Sequence, residues 1–315
     1  MMKHKIAGVG ETVLDILLRE GTKAEAAVPG GSTFNAIVSL GRTAARDFAD
    51  TDVMMVTQLG DDAVADIVEN FLKDNGVLPT YVRRIPGTQS NISLALLDKD
   101  SNATYEFFRD PSNPPFQAPE IRFNPGDAVI FGSFFALSPA TGDQVRGLIR
   151  KAHADGATVY YDINFRKSHS AELSAIRPLI EENCSLSDIV RGSVEDIALV
   201  FGSDDPDAVY RDHISKLCSN FICTRGHDST TVFSPGIRLD FPVQKVDAVS
   251  TIGAGDNFNA GFVYALCREK LGREEIRDMS PDAWKKLVPV AHGFSSNVCR
   301  SLFNYVDKEY LPLQV

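Results

Sequence analysis

A chain of 315 residues that is 43% hydrophobic and 23% charged can bury the core of one large α/β domain, or of a domain with a smaller partner, and this composition excludes disorder. A net charge of −10 argues against nucleic acid or an anionic membrane as partner and leaves room only for a local basic pocket. Five cysteines without a Cys-x-x-Cys pair or His-rich ligand spacing read as reduced structural thiols.

The first residues run straight into Ile6-Ala7-Gly8-Val9-Gly10 without an apolar leader core. No stretch has the length needed to span a bilayer, so a cytoplasmic protein is expected. Strand patterns occur at 5–10, 53–60, 128–134, 158–164, 189–193 and 221–226, most of them followed by an amphipathic segment. The clearest helix follows Gly60: Asp61 or Asp62 caps it, Val64, Ile67, Val68, Phe71 and Leu72 share a face, and Asn75-Gly76 stops it. Repeated βα units predict a mostly parallel sheet covered by helices on both faces, with ligands at the carboxyl ends of the strands. No internal repeat or low-complexity tract is present, and 111–119 is the one proline-rich connection.

Two stretches break this rhythm. Residues 12–28 and 89–109 carry short alternating segments, the second with polar turn residues Asp98 to Asn102 between its halves. They read as hairpins of a small antiparallel sheet projecting over the strand ends as a lid; edge strands of the main sheet are the alternative. The expected division is a core of 1–11, 31–86 and 112–315 and a lid of 12–30 and 87–111.

Two glycine clusters bear on chemistry. Gly30-Gly31 leads into a helical run at 36–45; paired glycines admit a ligand close to backbone, Asn35 offers the donor and acceptor that a sugar hydroxyl needs, and Asp15 adds an acceptor. A hinge with a local side-chain bond fits the same residues. Near the other end, Gly253-Ala254-Gly255-Asp256 precedes Phe258, Phe262, Ala265 and Leu266 at helical spacing, so the N–H groups of this turn are the unpaired donors of a helix N-terminus and form an anion site. Asp256 is then placed to take a proton from a hydroxyl attacking a bound phosphoryl group, the centre of a kinase. A plain tight turn with an acidic first-turn residue is the other reading of the tetrapeptide.

Five ordered blocks carry a family resemblance: Gly30-Gly31 with Asn35; Gly60-Asp61 with the helix to Gly76-Val77; Asp162-Ile163-Asn164-Phe165-Arg166; Thr224-Arg225-Gly226; and Gly253-Ala254-Gly255-Asp256. In order and spacing they resemble the ribokinase/PfkB family of carbohydrate kinases over nearly the whole chain. The segments Tyr105-Glu106-Phe107-Phe108-Arg109, Phe131-Gly132-Ser133-Phe134-Phe135 and Tyr161-Asp162-Ile163-Asn164-Phe165-Arg166 are most similar to those of fructokinases.

The resemblance implies a ribokinase-like three-layer α/β/α fold with a mostly parallel central sheet and a small antiparallel β lid, and ATP with Mg2+ as phosphoryl donor. By resemblance Asp256 is the general base, Gly253, Ala254 and Gly255 the anion hole, and Arg166 the cation over the phosphates. Asp162 could instead pair with Arg166. Substrate would meet Asp15, Gly30, Gly31, Asn35, Arg109 and Asp256. On the ATP side stand Asn164, Ser193, Thr224, Gly226, Gly253 and Gly255, with Ser229 in place of a family glycine, and Asn297 is an adenine contact or a capping residue. Ser193 and Asp196 align with the family's Asn-x-x-Glu pair, which makes Asp196 a magnesium contact through water. No Walker-type Gly-x-x-x-x-Gly-Lys-[Ser/Thr] occurs, so no P-loop lysine takes part.

Ser250 stands where the family has an Asp that helps hold a monovalent cation, and Cys299-Arg300-Ser301-Leu302-Phe303-Asn304-Tyr305 lacks the usual Gly-Ala loop, so no strong potassium activation is expected. A silent sugar sensor would have lost the acid or the anion hole, and a dinucleotide oxidoreductase needs a third glycine that Gly8-Val9-Gly10 does not lead to. Fructose is the expected acceptor; 2-keto-3-deoxygluconate, whose carboxylate Arg109 would meet, is the alternative, then ribose or a nucleoside. Family members often pair through the lid, which implies a homodimer.

Overall fold

The computed structural model describes residues 3–19, 23–97 and 103–314. Its strands are β1 (His4–Val9), β2 (Val13–Arg19), β3 (Lys23–Gly30), β4 (Thr51–Gly60), β5 (Val77–Ile85), β6 (Ile92–Leu97), β7 (Ala103–Phe108), β8 (Ala128–Gly132), β9 (Thr158–Asp162), β10 (Ile189–Ser193), β11 (Phe221–Arg225), β12 (Ser229–Ser234) and β13 (Ile237–Pro242). Its helices are α1 (Ser32–Asp47), α2 (Ala63–Asp74), α3 (Gly142–Ala154), α4 (Leu173–Ser185), α5 (Val194–Phe201), α6 (Pro206–Val209), α7 (Ala254–Arg268), α8 (Arg273–Arg277) and α9 (Pro281–Val298).

Nine strands form one sheet in the order β13-β12-β11-β10-β9-β8-β1-β4-β5, parallel from β5 to β11 and antiparallel beyond. Successive residues of a strand face opposite sides. Ile6, Val53, Ile130 and Tyr160 therefore pack under α1, α2, α7 and α9, whereas Ala7, Met54, Val129 and Tyr161 pack under α3, α4 and α5. The result is the expected three layers. The chain winds outward from β1 in both directions, through β4 and through β8, so the crevice at the carboxyl ends of β1 and β8 is the switch point where such sheets hold ligands.

The six strands read from sequence are present, but those at 128–134 and 158–164 end early, at Gly132 and Asp162. Ser133 and Asn164 take left-handed backbone, with φ 55 and 37, and turn the chain across the strand ends. Periodicity missed β5, which carries Thr80, Arg83 and Arg84, and the hairpin β12-β13. Helix α2 begins at Asp62, whose carboxylate accepts from Ala65 N, and stops at Asn75 with Gly76 at φ 73. Ile67, expected on its buried face, is 46% exposed.

The lid corrects the expectation of an antiparallel sheet. It is a four-stranded mixed sheet in the order β3-β2-β6-β7, with two antiparallel hairpins joined by a parallel β2-β6 pairing. Both hairpins leave the same edge of the core, β2 after β1 and β6 after β5, so their first strands project in the same direction. The turn expected at 98–102 and the side chain of Tyr105 lie outside the described residues. Among the described residues no helix is long and apolar enough to cross a membrane.

Candidate active site

Helix α7 can start where it does because Gly253 takes φ 78, a left-handed turn out of the preceding loop. The N–H of Ala254 is donated to Thr251 O at 3.2 Å, and Asn257 N closes on Gly253 O at 2.9 Å. Among the described residues no hydrogen bond engages the N–H groups of Gly253, Gly255 or Asp256. Three donors and the positive end of a 15-residue helix thus converge on one turn.

Asp256 lies in the first turn of that helix. Burial pushes its carboxyl up to about 6; the Asn35 amide opposes the rise, Asp162 adds to it, and Arg166 and Arg191 oppose it. Such a group is largely ionised at neutral pH yet basic enough to accept a proton in a transition state. Asn35 Nδ2 donates to Asp256 Oδ2 at 2.8 Å, across 221 residues of chain. Asn35 is buried in α1, and its Oδ1 has no partner.

Gly30 and Gly31 join β3 to α1. A Cβ on Gly30 would lie 2.1 Å from Asp15 Oδ2, and one on Gly31, at φ 125, would lie 2.4 Å from Glu11 O. Burial pushes Asp15 up to about 6 as well; the Ser93 hydroxyl, which donates to it, opposes the rise and Glu11 adds to it. Arg109 leaves the lid toward Glu11, with Nη2 3.2 Å from Oε1 and its guanidinium 4.9 Å from the Phe107 ring centroid. Asn91 Nδ2 donates to the same Glu11 oxygen at 3.0 Å.

Among the residues expected on the nucleotide side, Asp162 does not pair with Arg166. It pairs with Arg191, its register partner on β10, at 3.0 Å, and accepts from Asn259 Nδ2 at 2.7 Å. Arg166 is exposed, and among the described residues its guanidinium has no hydrogen bond or ion pair. Asn164 Nδ2 donates to Ser133 Oγ at 2.7 Å, which lies 2.7 Å from Ser32 Oγ at the start of α1. Thr224 Oγ1 accepts from Arg191 Nη2 at 2.5 Å, and Gly226 turns the chain at φ 48. Asn297 Oδ1 accepts from Asp307 N at 2.8 Å and so anchors the C-terminal segment. An open cleft of about 590 Å³ lined by Lys245, Val246, Asp247 and Arg300 adjoins the loop that leads into α7.

Ser193 and Asp196 form a capping box at the start of α5: Ser193 Oγ accepts from Asp196 N at 3.1 Å, and Asp196 Oδ2 accepts from Ser193 N at 2.7 Å. Asp196 Oδ1 accepts from Phe165 N at 2.7 Å. Burial raises this carboxyl above its ordinary value, with Arg191 opposing. Among the described residues no group of three His, Cys, Asp or Glu side chains is placed to hold a metal ion. A magnesium ion brought with ATP would therefore be held mainly by phosphates and water, and Asp196, 6% exposed, has both carboxylate oxygens accepting backbone N–H groups.

Sequence reasoning missed Arg191, Glu11 and Ser133. Arg191 left a signal, a lone charge inside the strand Ile189-Val190-Arg191-Gly192-Ser193. Ser133 stood in the Phe131-Gly132-Ser133-Phe134-Phe135 segment without a role and Glu11 left no signal, because the bonds of both reach partners distant in the chain.

The sequence profile of the pfkB family carbohydrate kinase matches residues 3–278. Aminoimidazole riboside kinase of Salmonella typhimurium is 25% identical over 84% of this chain and 82% of its own length. A fructokinase of Rhizobium leguminosarum bv. trifolii is 25% identical over 83% and 79%. A fructokinase double mutant of Vibrio cholerae O395, solved with fructose, ADP and potassium ion, superposes with a TM-score of 0.82 at 18% identity, covering 96% of this chain and 94% of that one. The chain belongs to the pfkB family of carbohydrate kinases, which phosphorylate sugars at the expense of ATP.

Proposed function

We propose that this kinase transfers the γ-phosphoryl group of ATP to a hydroxyl of a neutral sugar, fructose first. Asp256 takes the hydroxyl proton, the free N–H groups of Gly253, Gly255 and Asp256 receive the developing phosphoryl charge, and the unpaired Arg166 covers the phosphates. Asp15, Gly30, Gly31 and Asn35 hold the sugar, with the orphan Asn35 Oδ1 accepting from one of its hydroxyls. Asn164, Ser193, Thr224 and Gly226 line the ATP side, with Asn297 at its border; Mg2+ bound with ATP would supply positive charge to neutralise the phosphates, with Asp196 the side chain that would meet it through water. The observation that carries this reading is the 2.8 Å hydrogen bond from Asn35 to Asp256, which joins the sugar-side glycine turn to the anion turn.

Fructose is preferred to 2-keto-3-deoxygluconate because Arg109, the cation a carboxylated sugar would need, is already neutralised by Glu11 and stacked on Phe107. A riboside offers the same kind of neutral hydroxymethyl, and one of the relatives, aminoimidazole riboside kinase, is named for such a substrate. The lid, taken as 12–30 and 87–111, closes over the sugar and excludes water. A coupled ADP-release assay across fructose, ribose, 2-keto-3-deoxygluconate, adenosine, inosine and aminoimidazole riboside tests the acceptor. Fructose is expected to give the highest kcat/KM; turnover of the keto acid without turnover of fructose would overturn the choice of sugar. Asp256→Asn is expected to lower kcat by about 10²–10⁴.

A further inference from the structure

Arg191 is a charged side chain only 7% exposed, in the middle of the sheet. Its Nη1 reaches Asp162, its Nη2 reaches Thr224, and its Nε is buried without a partner. A Cβ on Gly255 would lie 3.0 Å from Nη2, 3.2 Å from Nη1 and 3.4 Å from Cζ, so the Nη edge of the guanidinium lies against the turn that begins α7. Gly255 has no positive φ. Gly253 is therefore glycine for its backbone conformation, and Gly255 is glycine because Arg191 occupies the place of a side chain.

Burying an ion pair contributes little net stability, since apolar residues of similar volume often do as well. A guanidinium packed against Gly255, however, turns the positive end of its pair with Asp162 toward the turn where negative charge accumulates. We propose that Arg191 is a positioning residue for phosphoryl transfer: it packs behind the turn of residues 253–256 at Gly255 and, with Asp162 balancing it from the far side, sets the positive end of a buried pair behind the group being transferred. This rests on the reading of that turn as the catalytic centre.

The groups facing Asp256 are Asn35 from α1, Asp162 at the end of β9, Arg166 beyond it and Arg191 from β10. Removing the Arg191 charge and removing the Asp162 charge should therefore act in opposite directions. Arg191→Met, which keeps an unbranched apolar stem and removes the charge, is expected to lower kcat by about 10–100-fold while KM for ATP and sugar changes less than about threefold. The acid limb of its kcat/KM profile should move to higher pH, whereas that of Asp162→Asn should move to lower pH. Arg191→Lys should hold the limb in place and recover most of kcat. A merely structural arginine would produce no such opposed shifts in enzymes that still unfold cooperatively.

A folded Arg191→Met enzyme with kcat within about twofold of the parent, or an unmoved limb, overturns the proposal. If Arg191→Met does not fold, Arg191→Lys and Asp162→Asn decide: limbs displaced in the same direction overturn it. Asp256→Asn, run alongside, separates the two levels, because full activity there would remove the catalytic-centre reading itself.

Discussion

Asn35 has one amide and two tasks. Its Nδ2 is committed to Asp256 and its Oδ1 is buried without a partner, so a hydroxyl that donated to Oδ1 would be steered toward the carboxylate proposed to deprotonate it. Because burial sets the Asp256 carboxyl at about 6 and catalysis needs it unprotonated, kcat/KM should be flat near neutrality and fall as pH drops through about 6. Replacing Asn35 by Asp exchanges a hydrogen-bond donor for a second carboxylate at the same short range, and like charges raise each other's pKa. Asn35→Asp is expected to move the acid limb upward by about one unit or more, with a raised KM for sugar. A pH–rate profile checks it, and a limb that stays near its original position would show that Asn35 does not face the titrating base. Asn35 and Asp256 were each readable as polar residues beside glycines. Their bond was not, because 221 residues separate them and only the packing of α1 on α7 brings them together.

At the scale of elements, the turn before α7 is held by the chain's own C-terminal segment. Asn304 packs 3.1–3.3 Å from where a Gly253 Cβ would be, and its carbonyl accepts from Asn257 Nδ2 at 2.8 Å. Tyr305 donates its hydroxyl to Pro29 O, next to the sugar-side glycines, and Val306 is bonded by Ser39 Oγ at 3.1 Å and by Arg42 Nη1 at 2.6 Å. One short segment thus braces both glycine turns. Ser250, neutral and accepting from Ile252 N at 3.2 Å, supplies no charge for a cation there. Replacing potassium by tetramethylammonium at constant ionic strength is therefore expected to change kcat by less than about twofold, since Ser250 brings no formal charge to hold the ion beside the anion turn. A several-fold activation by potassium in the same assay would contradict it. The missing Gly-Ala loop was visible in the sequence, but what replaces it was not, because 303–306 has neither helical nor strand periodicity and owes its place to side-chain hydrogen bonds. The same limit hid β5 and β13, whose alternation carries exposed polar residues and whose pairing partners alone define them.

For the whole molecule, the parallel sheet, its two helical layers and the switch point were legible because each rests on local apolar runs that repeat along the chain. The pairing of the lid was not, since β2 and β6 are joined in register across some seventy residues of intervening core. That pairing has a consequence for assembly. Directly paired residues share a face, so Asp15 and Ser93 share the substrate side with Phe107, while Ile16 with Leu94, Leu18 with Leu96, and Ile92 with Phe108 share the other. On this outer face Ile16, Leu18, Ile92, Leu94 and Leu96 are only half-buried and Phe108 is 54% exposed. An apolar strip of that kind, edged by exposed Glu106 opposite Leu94 and Thr104 opposite Leu96, is costly in water for an isolated chain, and two copies related by a twofold axis would cover it with identical residues. The protein is expected to be a homodimer through the lid at micromolar concentration. Leu94→Asp places a charge at the centre of the face, in register with Ile16 and two residues from Ile92 and Leu96, without touching Asp15 or Ser93. Light scattering should give twice the chain mass for the parent and the single mass for this variant. Because the substituted residue points away from the sugar, loss of activity would follow only if pairing is what holds the two hairpins in their closing geometry. A parent that scatters as a monomer would end the assembly argument at once.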